Sequence, residues 1–402
     1  MKNKLKNIFY ALIKHYHYSF VLLIIFLLGS YIFINFSDFS SNKDLSGNEE
    51  YISNFAKLNA KFYETGTHDT GGRAGPFELI GDNEFLFITQ CGEVFTSKII
   101  NERKRLESKR IGHIKNAICA DNFIKGIVKD SQLFSDFLLV SYVENIGSLS
   151  YRLALDKILK HGDEFDFKNA TRLFESTPGV SFKRGVHIHT FGRIAKKNEN
   201  EIFLVIADYG APQYIDDDDA TLGKLFLINI QTGTSTLIAK GFRSPGGLFY
   251  DQKNDLLWES EHGPTGGDEV NLIKEGYNYG WPHVTYGRHE GHIEHAFGLH
   301  HKGYAKPEYV FVPSVGTSNI MQYPAEGEIT HWRGDLILAT MRARTLFRLK
   351  VEDQTIIYAE PIGNIGSRIR DLQIDDTGKI YLKTDDDKLI IIQAEPNWQP
   401  SS

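Results

Sequence analysis

The chain has 402 residues and a formal net charge of −6, so it is long enough to bury one large core or two smaller ones. This charge, without any stripe of Lys or Arg, excludes a basic surface for binding nucleic acid. The 36 glycines and 12% aromatic residues favour many short strands joined by tight turns.

Residues 18–36 contain no charged side chain and predict a membrane-spanning helix. A helix of this length measures about 28 Å, close to the hydrocarbon thickness of a bilayer. The lysines within residues 1–17 keep that segment in the cytoplasm, so the rest of the chain is expected to face the periplasm from the inner membrane. No small-residue cleavage site follows the apolar run, which favours an uncleaved anchor over a signal peptide. The polar segment 37–65 is predicted to be a tether.

One unit recurs six times after this segment: an apolar strand, a polar or glycine-bearing turn, and a second apolar strand. The copies begin at Glu84, Asp136, Glu201, Asp255, Asp335 and Lys379, and another short strand precedes each of them. Such small sheets can bury their faces only against one another. The pattern therefore predicts an all-β, six-bladed β-propeller over residues 66–394, followed by a tail over residues 395–402.

The chain has two cysteines, Cys91 and Cys119, which are 28 positions apart and lack CxxC or zinc-ligand spacing. We predict that they are two small buried thiols. An oxidising compartment would allow them to pair, provided that the fold brings their Cα atoms within about 7 Å.

Polar residues cluster where the first strand of several predicted blades begins. These strands line the channel of a propeller, so the loops at one end of them converge on one site. Four arginines at such a mouth would repel each other unless a multivalent anion lay among them, and their planar forks suit carboxylates. The alternative is that each arginine pairs with a nearby acid, for which Asp371 is an obvious candidate. The loops carry His189, Arg243, Ser314, Arg368 and Arg370, and the turns inside the units add Asp208, His262 and Arg342.

Residues 243–282 resemble the soluble glucose/sorbosone dehydrogenase family, which includes the aldose sugar dehydrogenases. The long segment EHGPTGGDEVNL followed five residues later by NYGWP carries the resemblance, and HTFGR, ADYG, PSVGTS, MRARTLFRL and SRIRDL extend it over most of residues 66–394. Ser244 and Gly246 depart from it, since the family usually has Asn and Gln there. The resemblance implies a six-bladed propeller that uses pyrroloquinoline quinone and Ca²⁺ to oxidise the C1 hydroxyl of sugars.

The resemblance also implies roles for individual residues. His189 matches the general base, and Asp208 matches the carboxylate that orients it. The carbonyl groups of Gly263 and Pro264 match the ligands of the active-site Ca²⁺. The cofactor-binding positions are matched by Arg243, His262, Ser314, Arg342, Arg368 and Arg370.

The implied chemistry is coherent, because a neutral imidazole can take the hydroxyl proton while a hydride leaves the sugar carbon for the quinone. We therefore expect a membrane-anchored quinoprotein sugar dehydrogenase that passes electrons to an unidentified acceptor. One alternative is a propeller of the same fold that binds a ligand or a protein without catalysis. A second is a Ca²⁺-dependent hydrolase acting on lactones.

Overall fold

A computed structural model describes residues 49–52, 56–67, 74–100, 104–117, 119, 127–181, 189–288 and 301–395 of the chain. The predicted cytoplasmic segment and anchor lie outside these residues, as does most of the predicted tether. Within the described ranges, no helix is long and apolar enough to cross a membrane.

The described part of the chain is built from strands and three short 3-10 helices at Phe167–Asn169, Pro212–Tyr214 and Thr330–Trp332. Two strands, β1 (Glu49–Ile52) and β2 (Lys57–Glu64), come first. Blade 1 comprises β3 (Phe77–Gly81), β4 (Glu84–Ile88), β5 (Glu93–Lys98) and β6 (Glu107–His113). Blade 2 comprises β7 (Val128–Leu133), β8 (Phe137–Gly147), β9 (Ser150–His161), β10 (Glu164–Phe165), β11 (Thr171–Glu175) and β12 (Val180–Ser181).

The remaining blades follow the same antiparallel order. Blade 3 comprises β13 (Gly192–Lys196), β14 (Glu201–Ile206), β15 (Lys224–Asn229) and β16 (Ser235–Lys240). Blade 4 comprises β17 (Pro245–Asp251), β18 (Leu256–Glu261), β19 (Asp268–Ile273) and β20 (Tyr309–Phe311). Blade 5 comprises β21 (Thr317–Gln322), β22 (Leu336–Thr340), β23 (Thr345–Glu352) and β24 (Thr355–Asn364). Blade 6 comprises β25 (Ile369–Ile374), β26 (Ile380–Thr384) and β27 (Lys388–Ala394), with β2 and β1 added outside β27.

The six sheets form a closed ring, which confirms the predicted propeller. The first strands of the blades contact one another in the cyclic order β3, β7, β13, β17, β21, β25 and back to β3. Each predicted unit begins at the second strand of a blade or one residue before it. The short strand expected before the copy at Asp136 is β7, which begins at Val128.

The sheet of blade 6 is completed from the other end of the chain. β2 pairs antiparallel with β27 from Leu58 opposite Ala394 to Glu64 opposite Lys388. β2 lies within residues 37–65, the segment that the sequence assigned to a tether. The propeller therefore starts earlier than residue 66, because alternate residues of β2, such as Leu58 and Ala60, bury their side chains against the blade.

Apolar side chains fill the spaces between neighbouring blades. Six clusters of buried residues join blades 1 and 2, 2 and 3, 3 and 4, 4 and 5, 5 and 6, and 6 and 1. The second strands are buried on both faces, as in β22, where every residue from Leu336 to Thr340 is buried. Full burial of one large apolar side chain contributes roughly 1.5–3 kcal/mol, so these layers fix the blades around the axis.

Cys91 and Cys119 form a disulfide, so the prediction of two buried thiols is wrong. Cys91 is half-buried in the turn between β4 and β5, and Cys119 is exposed beyond the end of β6. The two segments meet because the Ile114 amide donates to the Gly92 carbonyl at 2.7 Å. This contact next to Cys91 brings the sulfur atoms together across 28 positions of sequence.

Candidate active site

All of the predicted site residues lie at one end of the propeller. In an antiparallel blade, the start of the first strand and the turn between the second and third strands share the same end. Arg368 directly precedes β25, and Arg243 lies two residues before β17. His189 lies three residues before β13. The second-to-third turns of blades 3, 4 and 5 hold Asp208, the 262–264 segment and Arg342.

The guanidinium group of Arg243 connects two of the predicted functional groups. It is 7% exposed, and its Nη2 donates to His189 Nε2 at 3.1 Å. Its Nη1 donates to the carbonyl groups of His262 and Gly263 at 3.1 and 3.0 Å. Since a guanidinium group can only donate, His189 Nε2 is an acceptor and the neutral ring carries its proton on Nδ1.

Asp208 lies beside His189 without a hydrogen bond to it. Its Oδ1 is 3.8 Å from His189 Nδ1, which is buried and has no hydrogen-bond partner among the described residues. The carboxylate is instead held by Trp281 Nε1 and by the Gly210 amide, each at 2.8 Å. The structure thus brings the predicted carboxylate and imidazole together but leaves their contact electrostatic.

The His262 ring is fixed by the neighbouring blade. Its Nε2 lies 2.5 Å from the Thr317 carbonyl, so this nitrogen donates. Burial lowers the pKa of His262, which keeps the ring neutral. Its ring centre lies 5.6 Å from that of Phe191, two residues after His189.

Two predicted cofactor-binding arginines share one carboxylate. Arg370 Nη2 and Arg368 Nε bind Asp385 Oδ2 at 2.7 and 3.2 Å. Burial, and next the Arg370 guanidinium, lower the pKa of Arg368. The two guanidinium groups carry one more positive charge than the Asp385 carboxylate neutralises, and this excess would favour a bound anion.

Asp371 does not pair with any of the predicted arginines. Its oxygens accept instead from Arg193, from Asn319 and from the Phe77 amide. The alternative in which each arginine pairs with a nearby acid holds for Arg368 and Arg370 through Asp385 rather than Asp371, but a single carboxylate serves both of them.

Ser314 and Arg342 occupy adjoining loops of blades 4 and 5. Ser314 is half-buried and Arg342 is exposed. The Arg342 amide donates to the carbonyl of Val315, the residue next to Ser314, at 3.0 Å. The backbone segments that carry Ser314 and Arg342 therefore lie side by side at this end of the propeller.

Buried glutamates beneath Arg243 were missed by the sequence reasoning. Glu261 Oε2 accepts from the Arg243 amide at 2.6 Å, and burial raises the pKa of Glu261 to about 7. Burial also raises the pKa of Glu259 and of Glu269. Glu261 and Glu269 line a small cavity below Arg243 together with Trp281. Acids at alternate positions of the apolar run LLWESE would have signalled this arrangement, since β18 is a central strand.

The departure at Gly246 has a structural cause. A Cβ atom at this position would lie 2.6 Å from the Thr317 carbonyl of blade 5. Blades 4 and 5 therefore approach too closely for the larger residue that the family usually has there.

The quinone fits the residues present, whereas Ca²⁺ does not fit as the side chains stand. A tricarboxylate would neutralise the excess positive charge of Arg368 and Arg370, and another of its carboxylates could bind Arg243. A cation at Gly263 and Pro264 would meet the Arg243 guanidinium, which already occupies the Gly263 carbonyl. Calcium would need that guanidinium to move.

Comparison with known proteins agrees with this description. Residues 77–393 match the family model described as Glucose / Sorbosone dehydrogenase. The curated protein "Aldose sugar dehydrogenase YliI" of Escherichia coli (strain K12) is 26% identical over 224 residues, which are 52% of this chain. The chain spans 60% of that relative's length and 38% of the length of another curated relative.

Solved structures share the fold at low identity. "Crystal structure of glucose dehydrogenase" has a TM-score of 0.70 and 21% identity, and covers 87% of this chain and all of that one. The PQQ-bound form of aldose sugar dehydrogenase from Streptomyces coelicolor has a TM-score of 0.61 and 18% identity, and covers 85% of this chain and 100% of its own. The match over residues 77–393, together with this six-bladed architecture, shows that the chain belongs to the glucose/sorbosone dehydrogenase family.

Proposed function

We propose that the protein is a quinoprotein dehydrogenase that oxidises the C1 hydroxyl of aldose sugars. The observation that carries this proposal is the pair of guanidinium groups sharing Asp385 at the same end of the propeller as the acceptor nitrogen of His189. The Streptomyces relative, described as PQQ-bound, supports the choice of quinone.

His189 acts as the general base. Its Nε2 is unprotonated because Arg243 can only donate to it, so this nitrogen can take the proton of the sugar hydroxyl once Arg243 withdraws. The imidazolium formed would then face Asp208 at 3.8 Å, and the carboxylate would stabilise its charge. Trp281 and Gly210 keep the carboxylate in place during this transfer.

The cofactor would be held by Arg243, Arg342, Arg368 and Arg370, with the Ser314 hydroxyl and the His262 ring beside it. When bound, pyrroloquinoline quinone supplies the acceptor for the hydride that leaves C1, and the sugar becomes a lactone. The proposal includes Ca²⁺ at Gly263 and Pro264, on condition that the cofactor draws Arg243 away from the Gly263 carbonyl.

The purified chain tests this proposal directly. Added pyrroloquinoline quinone and Ca²⁺ should produce quinone absorbance, and aldoses should then reduce a redox dye. His189→Ala should abolish dye reduction while quinone still binds, because the base is lost and the arginines remain. His283→Ala is the matched control, since His283 also faces a carboxylate, Asp216 at 2.6 Å, but at an exposed rim.

The alternatives give different results in the same experiment. A protein that binds no quinone and reduces no dye would be better explained as a binding propeller. Hydrolysis of lactones without added quinone would instead support the hydrolase. Full activity of His189→Ala would remove the imidazole from its role.

We also propose that the propeller faces the periplasm, anchored in the inner membrane by residues 18–36. The Cys91–Cys119 disulfide supports an oxidising compartment, because such bonds persist there and are rare in the cytoplasm. A membrane-impermeant protease added to spheroplasts should digest the propeller, and protection until the cells are lysed would contradict the orientation.

A further inference from the structure

One buried guanidinium group lies on the axis of the propeller and belongs to no role assigned so far. Arg193, the last residue of HTFGR, is 3% exposed and points from β13 into the ring. Its Nε donates to the Gly246 carbonyl at 2.6 Å, and its Nη2 donates to the Arg370 carbonyl at 3.3 Å. Its Nη1 binds Asp130 Oδ1 at 3.0 Å and Asp371 Oδ1 at 3.5 Å. A single side chain thus joins blade 3 to blades 2, 4 and 6.

Asp371 extends these contacts to the other two blades. Its Oδ2 accepts from the Phe77 amide of blade 1 at 3.1 Å. Its Oδ1 accepts from Asn319 Nδ2 of blade 5 at 2.8 Å. Arg193 is therefore connected, directly or through one carboxylate, to the first strand of every blade.

The segments that Arg193 fixes are the ones that carry the candidate site. Arg193 lies four residues after His189 on the same segment. The Gly246 carbonyl lies three residues after Arg243, and the Arg370 carbonyl belongs to a candidate cofactor-binding residue. The spacing between the imidazole and the two arginines therefore depends on contacts that only a forked, multi-donor group can make together.

The charges around the axis require this cation as well. Burial raises the pKa of Asp130 and of Asp371, while Arg193 acts in the opposite direction on both. Glu78 lies in the same buried layer, where Ser131 Oγ donates to it at 2.6 Å. Without the guanidinium group, the carboxylates would be buried without a compensating charge.

We propose that Arg193 is a positioning residue, which holds the segments of His189, Arg243 and Arg370 at the spacing that the cofactor needs. This inference rests on the proposed function. It assigns a role to the hub formed by Arg193, Asp130, Asp371 and Asn319 that is separate from cofactor contact.

Two substitutions separate charge from geometry. Arg193→Lys keeps the positive charge between Asp130 and Asp371, but an ammonium group cannot also reach both carbonyls. Arg193→Met removes the charge too. We expect the thermal midpoint to fall less in Arg193→Lys than in Arg193→Met, whereas the Kd for pyrroloquinoline quinone should rise at least ten-fold in both.

Arg348→Lys is the matched control. Arg348 is 1% exposed and also binds two carboxylates, Asp335 and Glu360, at 2.7 and 2.9 Å. It belongs to β23, the third strand of blade 5, away from the axis. Its loss should lower the thermal midpoint and leave the quinone Kd within two-fold of the wild-type value.

Quinone Kd, measured by quenching of tryptophan fluorescence at a temperature where all variants are folded, decides the proposal. A Kd unchanged in Arg193→Lys, or raised equally in Arg348→Lys, would overturn it. Hydrogen exchange of the cofactor-free variants gives a second readout. Amides in residues 192–196, 243–248 and 369–373 should exchange faster in Arg193→Lys and not in Arg348→Lys, and equal exchange would refute the hub.

The two proposals fail in distinguishable ways. If the wild-type protein binds no quinone, the proposed function is wrong. Hydrogen exchange then decides whether Arg193 still holds these segments: faster exchange in Arg193→Lys alone supports the hub, and unchanged exchange overturns it.

Discussion

Substitution of Asp208 by Asn tests the electrostatic contact in the candidate site. At 3.8 Å between Asp208 Oδ1 and His189 Nδ1, a carboxylate would stabilise an imidazolium by about 4 kcal/mol at an effective dielectric constant of about 20. The His189 side chain is 27% exposed, so solvent screening reduces this to about 2–3 kcal/mol. Asp208→Asn should therefore slow proton removal about 100-fold.

Single-turnover reduction of the quinone by an aldose, followed by absorbance, measures this rate without dependence on the electron acceptor. Quinone Kd should not change, because the Asp208 carboxylate is bound by Trp281 and Gly210, and the Asp208 amide that donates to the Arg243 carbonyl is unaltered by the substitution. Asp216→Asn is the control: Asp216 and His283 are 52% and 45% exposed, so the same change there should alter the rate less than two-fold. A rate for Asp208→Asn within three-fold of wild type would refute the reasoning.

Three further predictions concern stability and binding. Replacing Cys91 and Cys119 by Ser should lower the free energy of unfolding by about 3.5 kcal/mol, because the disulfide closes a loop of 28 positions. Urea unfolding of the variant and of the oxidised wild-type protein measures this difference, and equal urea midpoints would contradict it. Burial raises the pKa of Asp130 to about 6, so the contribution of Asp130 to the free energy of unfolding should fall as pH rises from about 4 to 6. Urea unfolding at several pH values measures this, and Asp130→Asn should flatten that part of the profile; an unaltered profile would contradict the assignment. Bound quinone should lower the Kd for Ca²⁺ at least ten-fold in calorimetric titrations, because it would draw the Arg243 guanidinium group away from the Gly263 carbonyl. Equal Ca²⁺ affinity with and without quinone would count against this coupling between the two ligands.

The regular parts of the fold could be predicted from local pattern alone. Copies such as those at Glu84 and Glu201 consist of an apolar run, a turn and a second run, and strands of this kind need little information from elsewhere in the chain. The contribution of β2 could not be read in the same way, because its partner β27 lies at the other end of the sequence. The disulfide also depends on a distant contact, the one between Ile114 and Gly92.

The candidate site shows the same division. The shared end of the propeller followed from the positions of the loops, so His189 and Arg243 could be expected to lie close together. The ion-pair partners of individual arginines could not be predicted from the sequence. Asp371 binds Arg193, and Asp385 binds both Arg368 and Arg370. Which acid neutralises which base depends on side-chain reach across strands from different blades, and sequence spacing carries no measure of that distance.

The pairing of β2 with β27 has a consequence for how the ring is made. Residues 57–64 are synthesised before every blade, but the strand that receives them is among the last parts of the chain. Ring closure therefore cannot precede synthesis of residues 388–394, and such distant pairing slows folding. A shortened protein starting at residue 66 would leave the outer hydrogen-bonding edge of β27 open, and that edge could recruit a strand from another molecule.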